Sequence, residues 1–356
     1  MSRFHLLKII DVTRETADAV SVAFEVPENL KNDYKYIQGQ YLTLKLNVNG
    51  EDIRRSYSIC SAYPEKELRV AIKKVKGGKG SNFVSEKIKV GDSIEVMTPM
   101  GNFHTPLNSS NKKTYVLFAG GSGITPMMSI IKTVLQSEPN GKLILFYGNQ
   151  DEASIIFKKQ LDDLAAKNSN RLKIYHILDQ ENGTTDVLFK GIMNVDKNKL
   201  LVEKFVDLKS DNEFFICGPG GMMDSVKKAL DDLKVDKNRI HIEYFTVPVD
   251  QPVKADVNKT GYVNCTATII LDGDERVIEI PAGENVLQAA IDASMDAPYA
   301  CRGGSCCTCR AKLIEGKVVM DVNYALLDSE VEEGYILTCQ SHPLTSTIVV
   351  DYDKGR

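Results

Sequence analysis

The alternation of apolar and polar positions changes character twice along the chain, and each change marks a predicted domain. Residues 1–106 carry short runs with a period of two, such as SVAFEV, YLTLKLNV and LRVAIKKV, separated by turn residues. This spacing predicts a small antiparallel β-barrel. Residues 107–245 instead alternate continuous apolar runs, such as TYVLFAG and KLILFYGN, with helical segments, one of which is expected to run through IIFKKQLDDLAAK. That pattern predicts an α/β domain built on a parallel sheet.

The remaining residues divide into a linker and a third domain. Residues 246–262, TVPVDQPVKADVNKTGY, combine two prolines with small and charged residues and predict an interdomain linker. Residues 263–356 predict a hairpin that turns at DGD, a helix over ENVLQAAIDA, a cysteine-rich loop and a final strand in TSTIVVDY. The fold class expected is therefore multidomain, with a barrel, a parallel-sheet α/β domain and a small α+β domain.

The composition is that of an ordinary globular protein. The chain has 356 residues, of which 43% are hydrophobic and 26% charged, and this length suits two or three domains. No apolar run reaches the roughly 18 residues of a membrane span, and the N-terminus does not have the pattern of a signal peptide. These features predict a cytoplasmic protein, and in a reducing cytoplasm cysteines are expected to hold metal.

The charge is unevenly distributed between the predicted domains. From residue 263 onward the chain carries 15 Asp and Glu against 7 Lys and Arg, whereas the first 262 residues carry 37 bases against 33 acids. An acidic domain beside a mildly basic remainder suits electrostatic docking of redox partners. Solvation of a small domain with a large surface explains the acidity equally well. The pattern does not resemble a nucleic-acid-binding surface.

Four cysteines near the C-terminus have the spacing of a plant-type [2Fe–2S] loop, C-x4-C-x2-C followed by a distant fourth cysteine. The predicted ligands are Cys301, Cys306, Cys309 and Cys339. Structural zinc sites commonly use two close cysteine pairs, which this spacing does not provide. Cys307 lies in the loop but off the spacing, and is expected to be a non-ligand. Gly303 and Gly304 allow the backbone to approach a cluster closely.

Two motifs in the first domain are candidates for a flavin site. The run RSYS ends a predicted strand, where Tyr57 is suited to pack against a flavin ring, Ser58 to contact its N5 region and Arg55 to neutralise its pyrophosphate. The run GGKGS, containing Gly78 and Ser81, opens a predicted helix, and a helix N-terminus favours anions. An exposed strand end and a flexible loop are the alternative interpretations.

Two glycine-rich turns in the second domain are candidates for a dinucleotide site. AGGSGITP lies between a strand and a helix, and CGPGGMM ends a later strand of the same sheet. Ligands of such sheets bind in the crevice at the carboxyl ends of the strands. Neither turn is a G-x-G-x-x-G fingerprint, and the lysine of a P-loop is absent from both. The candidate residues are Gly120, Gly121, Ser122, Gly123, Thr125, Pro126, Cys217, Gly218 and Pro219.

Taken in order, these motifs resemble the ferredoxin–NADP reductase superfamily along residues 1–245, with a β-grasp-like plant-type ferredoxin fused behind it. The resemblance implies FAD bound by the RSYS and GGKGS residues and a nicotinamide nucleotide bound by the two glycine turns. It also implies that Phe245, in the run HIEYF, covers the flavin ring. The cofactors expected are therefore FAD and a [2Fe–2S] cluster, with NADPH or NADH as substrate.

The preference between the two coenzymes is open. Relatives with an Arg-Thr pair after the strand ending YGN suit a ribose 2′-phosphate, but here Gln150, Asp151 and Glu152 follow that strand. Two carboxylates repel a 2′-phosphate, and an acidic residue in this region can accept hydrogen bonds from a 2′-hydroxyl. The resemblance favours NADPH, whereas these residues favour NADH.

The expected activity is a relay in which hydride passes to FAD and electrons pass singly to the cluster. Ser58, Thr125 and Cys217 are the candidate catalytic residues, since they are placed to orient the flavin and the nicotinamide. The resemblance implies that the acceptor is a separate di-iron oxygenase acting on an aryl-CoA thioester. The reductase of a Rieske-type hydroxylase and a non-catalytic redox sensor or electron carrier remain alternatives.

Overall fold

A six-stranded antiparallel sheet forms the first part of the molecule. The structure is a computed structural model that describes residues 4–63, 65, 67–180, 186–245 and 261–355. The strands are β1 Phe4–Thr16, β2 Ala19–Glu25, β3 Tyr41–Val48, β4 Glu51–Ser58, β5 Leu68–Lys73 and β6 Ser93–Met97. Their order is β4-β3-β6-β1-β2-β5, and a bridge between Ile59 and Val70 brings the two edges together. The helix α1, Lys79–Lys87, follows β5.

The longest strand of this barrel was not expected from the sequence. β1 pairs with both β2 and β6, but its register against β2 shifts between Ile9 and Asp11 and again between Arg14 and Thr16. Each shift interrupts the two-residue period because a bulge reverses which side chains face the core. The strand is therefore hidden from a search for alternation, even though Leu7 and Ile9 are fully buried.

The second domain is a parallel sheet with helices, as expected. Its strand order is β11-β10-β7-β8-β9, and all its strand pairs are parallel. The strands are β7 Thr114–Gly120, β8 Lys142–Asn149, β9 Leu172–Leu178, β10 Asn212–Cys217 and β11 Ile240–Glu243. The helices are α2 Ile124–Ser137, α3 Lys158–Lys167, α4 Val195–Phe205 and α5 Gly220–Asp232. The two glycine turns follow β7 and β10, which are neighbours, so both turns lie at one edge of the sheet.

The helix expected to run through IIFKKQLDDLAAK begins later than its sequence suggests. Ile155, Ile156 and Phe157 are buried in the core of the domain, and α3 starts only at Lys158. Phe157 has a φ of 63°, in the left-handed region, which an L-residue adopts only at a cost. Packing of three apolar side chains thus outweighs helix propensity at this end.

The third domain is a small mixed sheet with two short helices. Its order is β13-β12-β18-β14-β16, in which β12 pairs with β18 in parallel and its other strand pairs are antiparallel. The main strands are β12 Cys265–Leu271, β13 Asp274–Ile280, β14 Arg310–Glu315, β16 Tyr335–Leu337 and β18 Thr347–Asp351. A second ladder joins β15 Val318–Met320 to β17 Ser341–Pro343, and the helices are α6 Val286–Asp292 and α7 Asp328–Glu332.

The expected fold class is confirmed, with an antiparallel barrel-like sheet, a parallel-sheet domain and a ferredoxin-like domain. Residues 246–260 of the predicted linker lie outside the described residues, so the linker and the predicted domain boundaries stay predictions. Among the helices in the described part of the chain, none is long and apolar enough to cross a membrane.

The two glycine turns of the second domain touch each other through their backbones. A Cβ added to Gly123 would lie 2.0 Å from the carbonyl oxygen of Cys217, and one added to Gly120 would lie 2.6 Å from Cδ of Pro219. Side chains cannot be accommodated at these distances without moving the backbone. The glycines therefore let the ends of β7 and β10 approach closely, which fixes one edge of the sheet.

Replacement of Gly123 by alanine should destabilise the protein by about 1–3 kcal/mol, because the new methyl group overlaps a backbone atom. Gly123 has a helical φ of −62°, so the cost is steric overlap without backbone strain. The matched control is Gly220→Ala at the start of α5, where an added Cβ meets nothing within 4 Å. Equal unfolding free energies for the two variants in denaturant titrations would contradict this account.

Candidate functional site

A cavity of about 770 Å³ lies where the three domains meet. The barrel contributes the end of β4 and the start of α1, the second domain contributes the first glycine turn and the residues after β11, and the third domain contributes the cysteine loop. The sequence-predicted residues that line it are Arg55, Tyr57, Ser58, Gly78, Ser81, Ser122, Thr125, Phe245, Cys301 and Cys306. Candidate flavin, nucleotide and cluster residues thus share one enclosed space.

The barrel side of the cavity combines an aromatic ring with cations. Tyr57 is half-buried and packs against the barrel core, and Arg55, two residues earlier on the same strand, is exposed. Alternate residues of a strand face the same side, so the ring and the guanidinium lie in line along β4. Lys73 and Lys79 also line the cavity. Their role was not expected from the sequence, because lysines are common in exposed positions.

The start of α1 contributes polar groups to the barrel side of the cavity. The hydroxyl of Ser81 accepts a hydrogen bond from the backbone N–H of Val75 at 3.2 Å, which ties the first turn of the helix to the preceding loop. Gly78 is the residue before the helix, and a Cβ there would lie 2.6 Å from Oγ of Ser81. The helix N-terminus therefore stays open to an anionic group.

A half-buried carboxyl group that the sequence reasoning missed lines the cavity beside Ser58. The Ser58 hydroxyl donates a hydrogen bond to Oε2 of Glu243 at 3.0 Å. Burial raises the pKa of Glu243 to about 8, although the Ser58 hydrogen bond opposes that rise. Glu243 is therefore mostly protonated at neutral pH. The only signal for it in the sequence is its position two residues before Phe245 in the run HIEYF.

On the side of the second domain, two hydroxyl side chains reach the cavity. Thr125 and Ser122 both line it, and the Thr125 hydroxyl donates to the Ser122 carbonyl at 3.0 Å. Cys217 is fully buried behind them, and burial raises the pKa of its thiol well above the usual value. The other predicted residues support the wall from behind or within the turns, namely Gly120, Gly121, Gly123, Pro126, Gly218 and Pro219.

Asp151 and Glu152, the acidic residues that favour NADH, both interact with neighbouring groups in the structure. Asp151 accepts a hydrogen bond from the backbone N–H of Ser154 at 2.9 Å and so caps a short helical turn. Glu152 is exposed, and its carboxylate lies 3.5 Å from Nζ of Lys158. Asp151 is thus occupied by a helix cap, and the charge of Glu152 is partly neutralised by Lys158. Neither contact decides between NADH and NADPH.

The four predicted cluster ligands are arranged as two pairs. The thiol of Cys306 lies 3.2 Å from Sγ of Cys301, and the thiols of Cys309 and Cys339 are hydrogen-bonded to each other. Within the described residues, no three His, Cys, Asp or Glu side chains converge on one metal position. Two cysteine pairs suit a cluster of two irons, each with two thiolates, better than one tetrahedral zinc ion.

The backbone and a side chain supply hydrogen bonds to these sulfurs. The N–H of Gly303 donates to Sγ of Cys301 at 3.4 Å, and the Gln340 amide reaches Sγ of Cys339 at 3.5 Å. Hydrogen bonds to ligand sulfurs stabilise thiolates and help set the potential of such clusters. The donor set and its surroundings therefore fit a [2Fe–2S] cluster.

Cys307 has different surroundings from its neighbours. Its thiol donates to the carbonyl of Ala325 at 3.2 Å, and the side chain belongs to the core of the third domain. Burial raises the pKa of Cys307 to about 12. All eight cysteines are free of disulfides. The prediction that Cys307 is a non-ligand is consistent with this inward position.

The cavity also has the features that a flavin dinucleotide requires. Its volume is in the range of pockets that enclose ligands of this kind. Tyr57 offers an aromatic face, Arg55 and the two lysines offer positive charge, and the open N-terminus of α1 offers backbone N–H groups. The residues present therefore fit FAD.

Three family descriptions match the chain in succession. Residues 6–105 match "Oxidoreductase FAD-binding domain", residues 117–228 match "Oxidoreductase NAD-binding domain", and residues 269–344 match "2Fe-2S iron-sulfur cluster binding domain". The expectation that FAD, a nicotinamide nucleotide and a [2Fe–2S] cluster are used together is confirmed by these matches.

Curated relatives match over the whole length. The chain is 41% identical to one of the subunits of 1,2-phenylacetyl-CoA epoxidase of Escherichia coli (strain K12), across 100% of this chain and 99% of the relative. It is 36% identical to the ferredoxin reductase component of 3-ketosteroid-9-alpha-monooxygenase of Mycobacterium tuberculosis, across 98% of this chain and 96% of that protein. By name, the first relative is a subunit of an epoxidase and the second is the reductase component of a monooxygenase.

A solved structure shares the arrangement of the domains. Phthalate dioxygenase reductase superposes with a TM-score of 0.59 at 24% identity, and the match covers 98% of each chain. At this identity the likeness concerns the fold. It confirms the three-domain layout expected from the sequence.

Glu243 should make the stability of the apoprotein depend on pH. Its folded pKa, about 8, lies above the ordinary value of 4.5, so its favourable contribution is complete below pH 4.5 and is lost as the pH rises towards 8. Each pH unit within this window costs up to about 1.4 kcal/mol. We expect Glu243→Gln to remove this dependence. The unfolding free energy of the variant should therefore rise relative to that of the wild type as the pH increases from 5 to 8.

The matched control is Glu25→Gln, at an exposed position at the end of β2. Its unfolding free energy should follow the wild type at every pH in denaturant titrations. A difference between Glu243→Gln and the wild type that stays constant from pH 5 to 8 would show that the carboxyl is already ionised in the folded protein.

Proposed function

Because the chain belongs to the family of oxygenase reductases that combine FAD-binding, NAD-binding and [2Fe–2S] domains, we propose that it oxidises NAD(P)H and supplies electrons to a separate oxygenase. The observation that carries this proposal is the shared cavity, because it is lined by Ser58 of the barrel, Thr125 of the second domain and Cys306 of the third. A path for electrons needs these three regions close together.

The barrel residues bind and orient the flavin. Tyr57 would pack against its ring system, Arg55 would neutralise the pyrophosphate, and Gly78 and Ser81 would offer it the start of α1. Ser58 would orient the N5 region of the ring, and its hydroxyl is hydrogen-bonded to Glu243. Bound FAD converts a hydride, which carries two electrons, into single electrons, and the cluster carries these one at a time.

Glu243 serves as a proton reservoir for this site. With a pKa of about 8, its carboxyl group holds a proton at neutral pH and can release it without a large cost. The hydrogen bond to Ser58 connects that proton to the cavity. A group of this kind suits a reaction in which proton and electron transfer accompany each other.

The residues of the second domain place the nicotinamide. Ser122 and Thr125 line the cavity and offer hydroxyl groups, and Cys217 behind them is a neutral thiol that fills space without adding charge. Phe245 also lines the cavity and would cover the flavin ring. These groups contribute by orientation and by exclusion of water.

The cysteine pairs have different positions with respect to the cavity. Cys301 and Cys306 line it, whereas Cys309 and Cys339 are not among its lining residues. Electrons therefore enter on the side of the first pair. The second pair belongs to the apolar core of the third domain.

We propose that the acceptor is a di-iron oxygenase of the phenylacetyl-CoA epoxidase type. The support is the 41% identity over the entire chain to a subunit of 1,2-phenylacetyl-CoA epoxidase. The reductase of a Rieske-type hydroxylase remains the second candidate, since a 3-ketosteroid monooxygenase component is 36% identical. A reducing compartment such as the cytoplasm suits a chain whose eight cysteines are all free.

Cys306→Ser should separate the two halves of the relay. Loss of one thiolate removes the cluster, so NAD(P)H-dependent reduction of cytochrome c should fall by more than about tenfold. Reduction of ferricyanide, which can take electrons from the flavin, should persist. The matched control is Cys307→Ser in the same loop, which should retain the cluster spectrum and both activities. Unchanged cytochrome c reduction by the Cys306 variant would refute the relay.

Reconstitution with purified oxygenases should identify the acceptor. We expect the protein to support NAD(P)H-dependent conversion of phenylacetyl-CoA when it is mixed with the di-iron subunits of a phenylacetyl-CoA epoxidase, and rates with NADH and NADPH should be compared. The control replaces those subunits with a Rieske-type oxygenase and its own substrate. Faster turnover of the Rieske enzyme would overturn the di-iron assignment while leaving the relay intact.

A further inference from the structure

Among the described residues, three groups of polar contacts join the barrel to the third domain, and each comes from a different part of the barrel. Tyr41 begins β3, Arg54 lies on β4, and Asn102 follows β6. Their partners lie in three separate segments of the third domain: within the cysteine loop for Tyr41, before it for Arg54, and in α7 for Asn102. Contacts distributed in this way restrict rotation of one domain on the other as well as their separation.

Arg54 forms the first contact through a guanidinium group that is almost completely enclosed. The residue is 4% exposed, and Nη2 lies 2.9 Å from Asp52 of its own strand and 2.5 Å from Asp296 of the third domain. Nη1 donates to the carbonyl of Ala297 at 3.4 Å. Asp296 is 69% exposed, so the enclosed charge of this pair is the Arg54 guanidinium. Separation of the domains would remove one of its two carboxylate partners and leave Asp52. The contact therefore favours the docked position of Asp296 by its direction more than by burial.

The Arg54 contact extends to the segment that enters the cysteine loop. The guanidinium carbon of Arg54 lies 4.5 Å from the ring centroid of Tyr299, and that of Arg302 lies 4.4 Å from it. Cations at such distances are attracted to aromatic faces. Tyr299 precedes Cys301 by two residues, so a fixed Tyr299 ring also limits where Cys301 can lie.

Tyr41 forms the second contact directly with the cysteine loop. Its buried hydroxyl accepts a hydrogen bond from the backbone N–H of Cys307 at 2.8 Å and lies 3.3 Å from Oγ1 of Thr308. Oγ1 of Thr43, on the same strand, lies 3.1 Å from that threonine hydroxyl. A buried N–H that loses its acceptor costs about 1–3 kcal/mol. The loop between Cys306 and Cys309 is thus held on β3.

The ring of Tyr41 is itself fixed by the barrel. It packs with Ala300 and Cys306 in one small buried cluster. On its other side, the backbone of Gly101 is so close that an added Cβ would lie 3.0 Å from Cδ1 of the ring. A side chain held between its own domain and the ligand Cys306 transmits the position of the barrel to that ligand.

Asn102 forms the third contact. Its amide donates to Oε2 of Glu330 at 2.6 Å and to the carbonyl of Ala325 at 3.3 Å. Glu330 also pairs with Arg310, which leads from the cysteine loop into β14. This contact ties the far side of the loop to the barrel.

We propose that the third domain receives electrons in this docked position, and that Tyr41 and Arg54 are positioning residues for the transfer from the flavin site to the cluster. They hold Cys301 and Cys306 against the cavity without taking part in the chemistry. The inference rests on the proposed function. A domain that moved away at each turnover would have to break all three contacts and uncover the Arg54 guanidinium each time.

Tyr41→Phe tests the contact with the smallest change, since it removes one hydroxyl. In anaerobic stopped-flow experiments with NAD(P)H on the full-length holoprotein, flavin bleaching should keep its wild-type rate. Reduction of the cluster should slow by about tenfold or more, because small displacements of a positioned group cost this much. The matched control is Tyr34→Phe, whose buried hydroxyl donates to the Val96 carbonyl within the barrel; it should leave both phases unchanged.

Hydrogen–deuterium exchange gives a readout that is independent of activity. In Tyr41→Phe the amide of Cys307 loses its acceptor, so the peptide covering residues 301–309 should exchange faster than in the wild type. Asp296→Asn weakens the Arg54 contact from outside the cavity and should accelerate exchange in residues 296–302, with a several-fold slower cluster phase. Its control is Asp292→Asn, whose carboxylate bonds to Gln288 of its own helix.

The outcomes separate the two proposals. Faster exchange in Tyr41→Phe and Asp296→Asn with cluster reduction at the wild-type rate would show that docking is unnecessary and would overturn this inference. Unchanged exchange in both variants would overturn it as well, because the contacts would not hold the domain. If the flavin of the wild-type protein is reduced by NAD(P)H but its cluster is not, the proposed function itself fails, whatever the variants do.

Discussion

Electron transfer falls off steeply with distance, and this constraint requires the nucleotide site, the flavin site and the cluster to meet within one small volume. The chain satisfies this constraint because its three sheets each contribute one end to the lining of a single cavity. The barrel presents the end of β4, the parallel sheet presents the carboxyl ends of its strands, and the third domain presents the loop before β14. The cavity therefore exists only when all three domains are assembled, and contacts between them are part of the site.

The same constraint explains why backbone packing beside the cavity is so close. The turns after β7 and β10 touch through Gly123 and the carbonyl of Cys217, and this brings Ser122 and Thr125 to the surface that a nicotinamide would meet. The register of β10 and β11 places Glu243 opposite Cys217, from where its carboxyl group reaches Ser58 of the barrel. A half-buried acid with a raised pKa thus arises at a domain junction, because both domains contribute to its surroundings.

The sequence predicted what depends on local spacing. The cysteine pattern identified four residues that the structure brings together as two pairs, and the change in hydrophobic period separated barrel from parallel sheet. It did not predict β1, because two bulges break its alternation, or the three-residue strands β15, β16 and β17, which are too short to show a period. Tyr41 and Arg54 were also missed. Their partners in the third domain lie more than 240 positions away, so no local pattern could indicate these contacts.

Few of the acidic residues of the third domain contribute to its docking on the barrel. Two acidic side chains, Asp296 and Glu330, bond to the barrel, and one of them faces a neutral amide. Other carboxylates, including Asp274, Glu275 and Glu279, are exposed on β13, the edge strand of the sheet. Charges on an edge strand prevent pairing with other chains, and they also leave a negative surface for an acceptor. Docking within the chain therefore depends on a few directional contacts, while the other carboxylates remain available for solubility and for encounter with a partner.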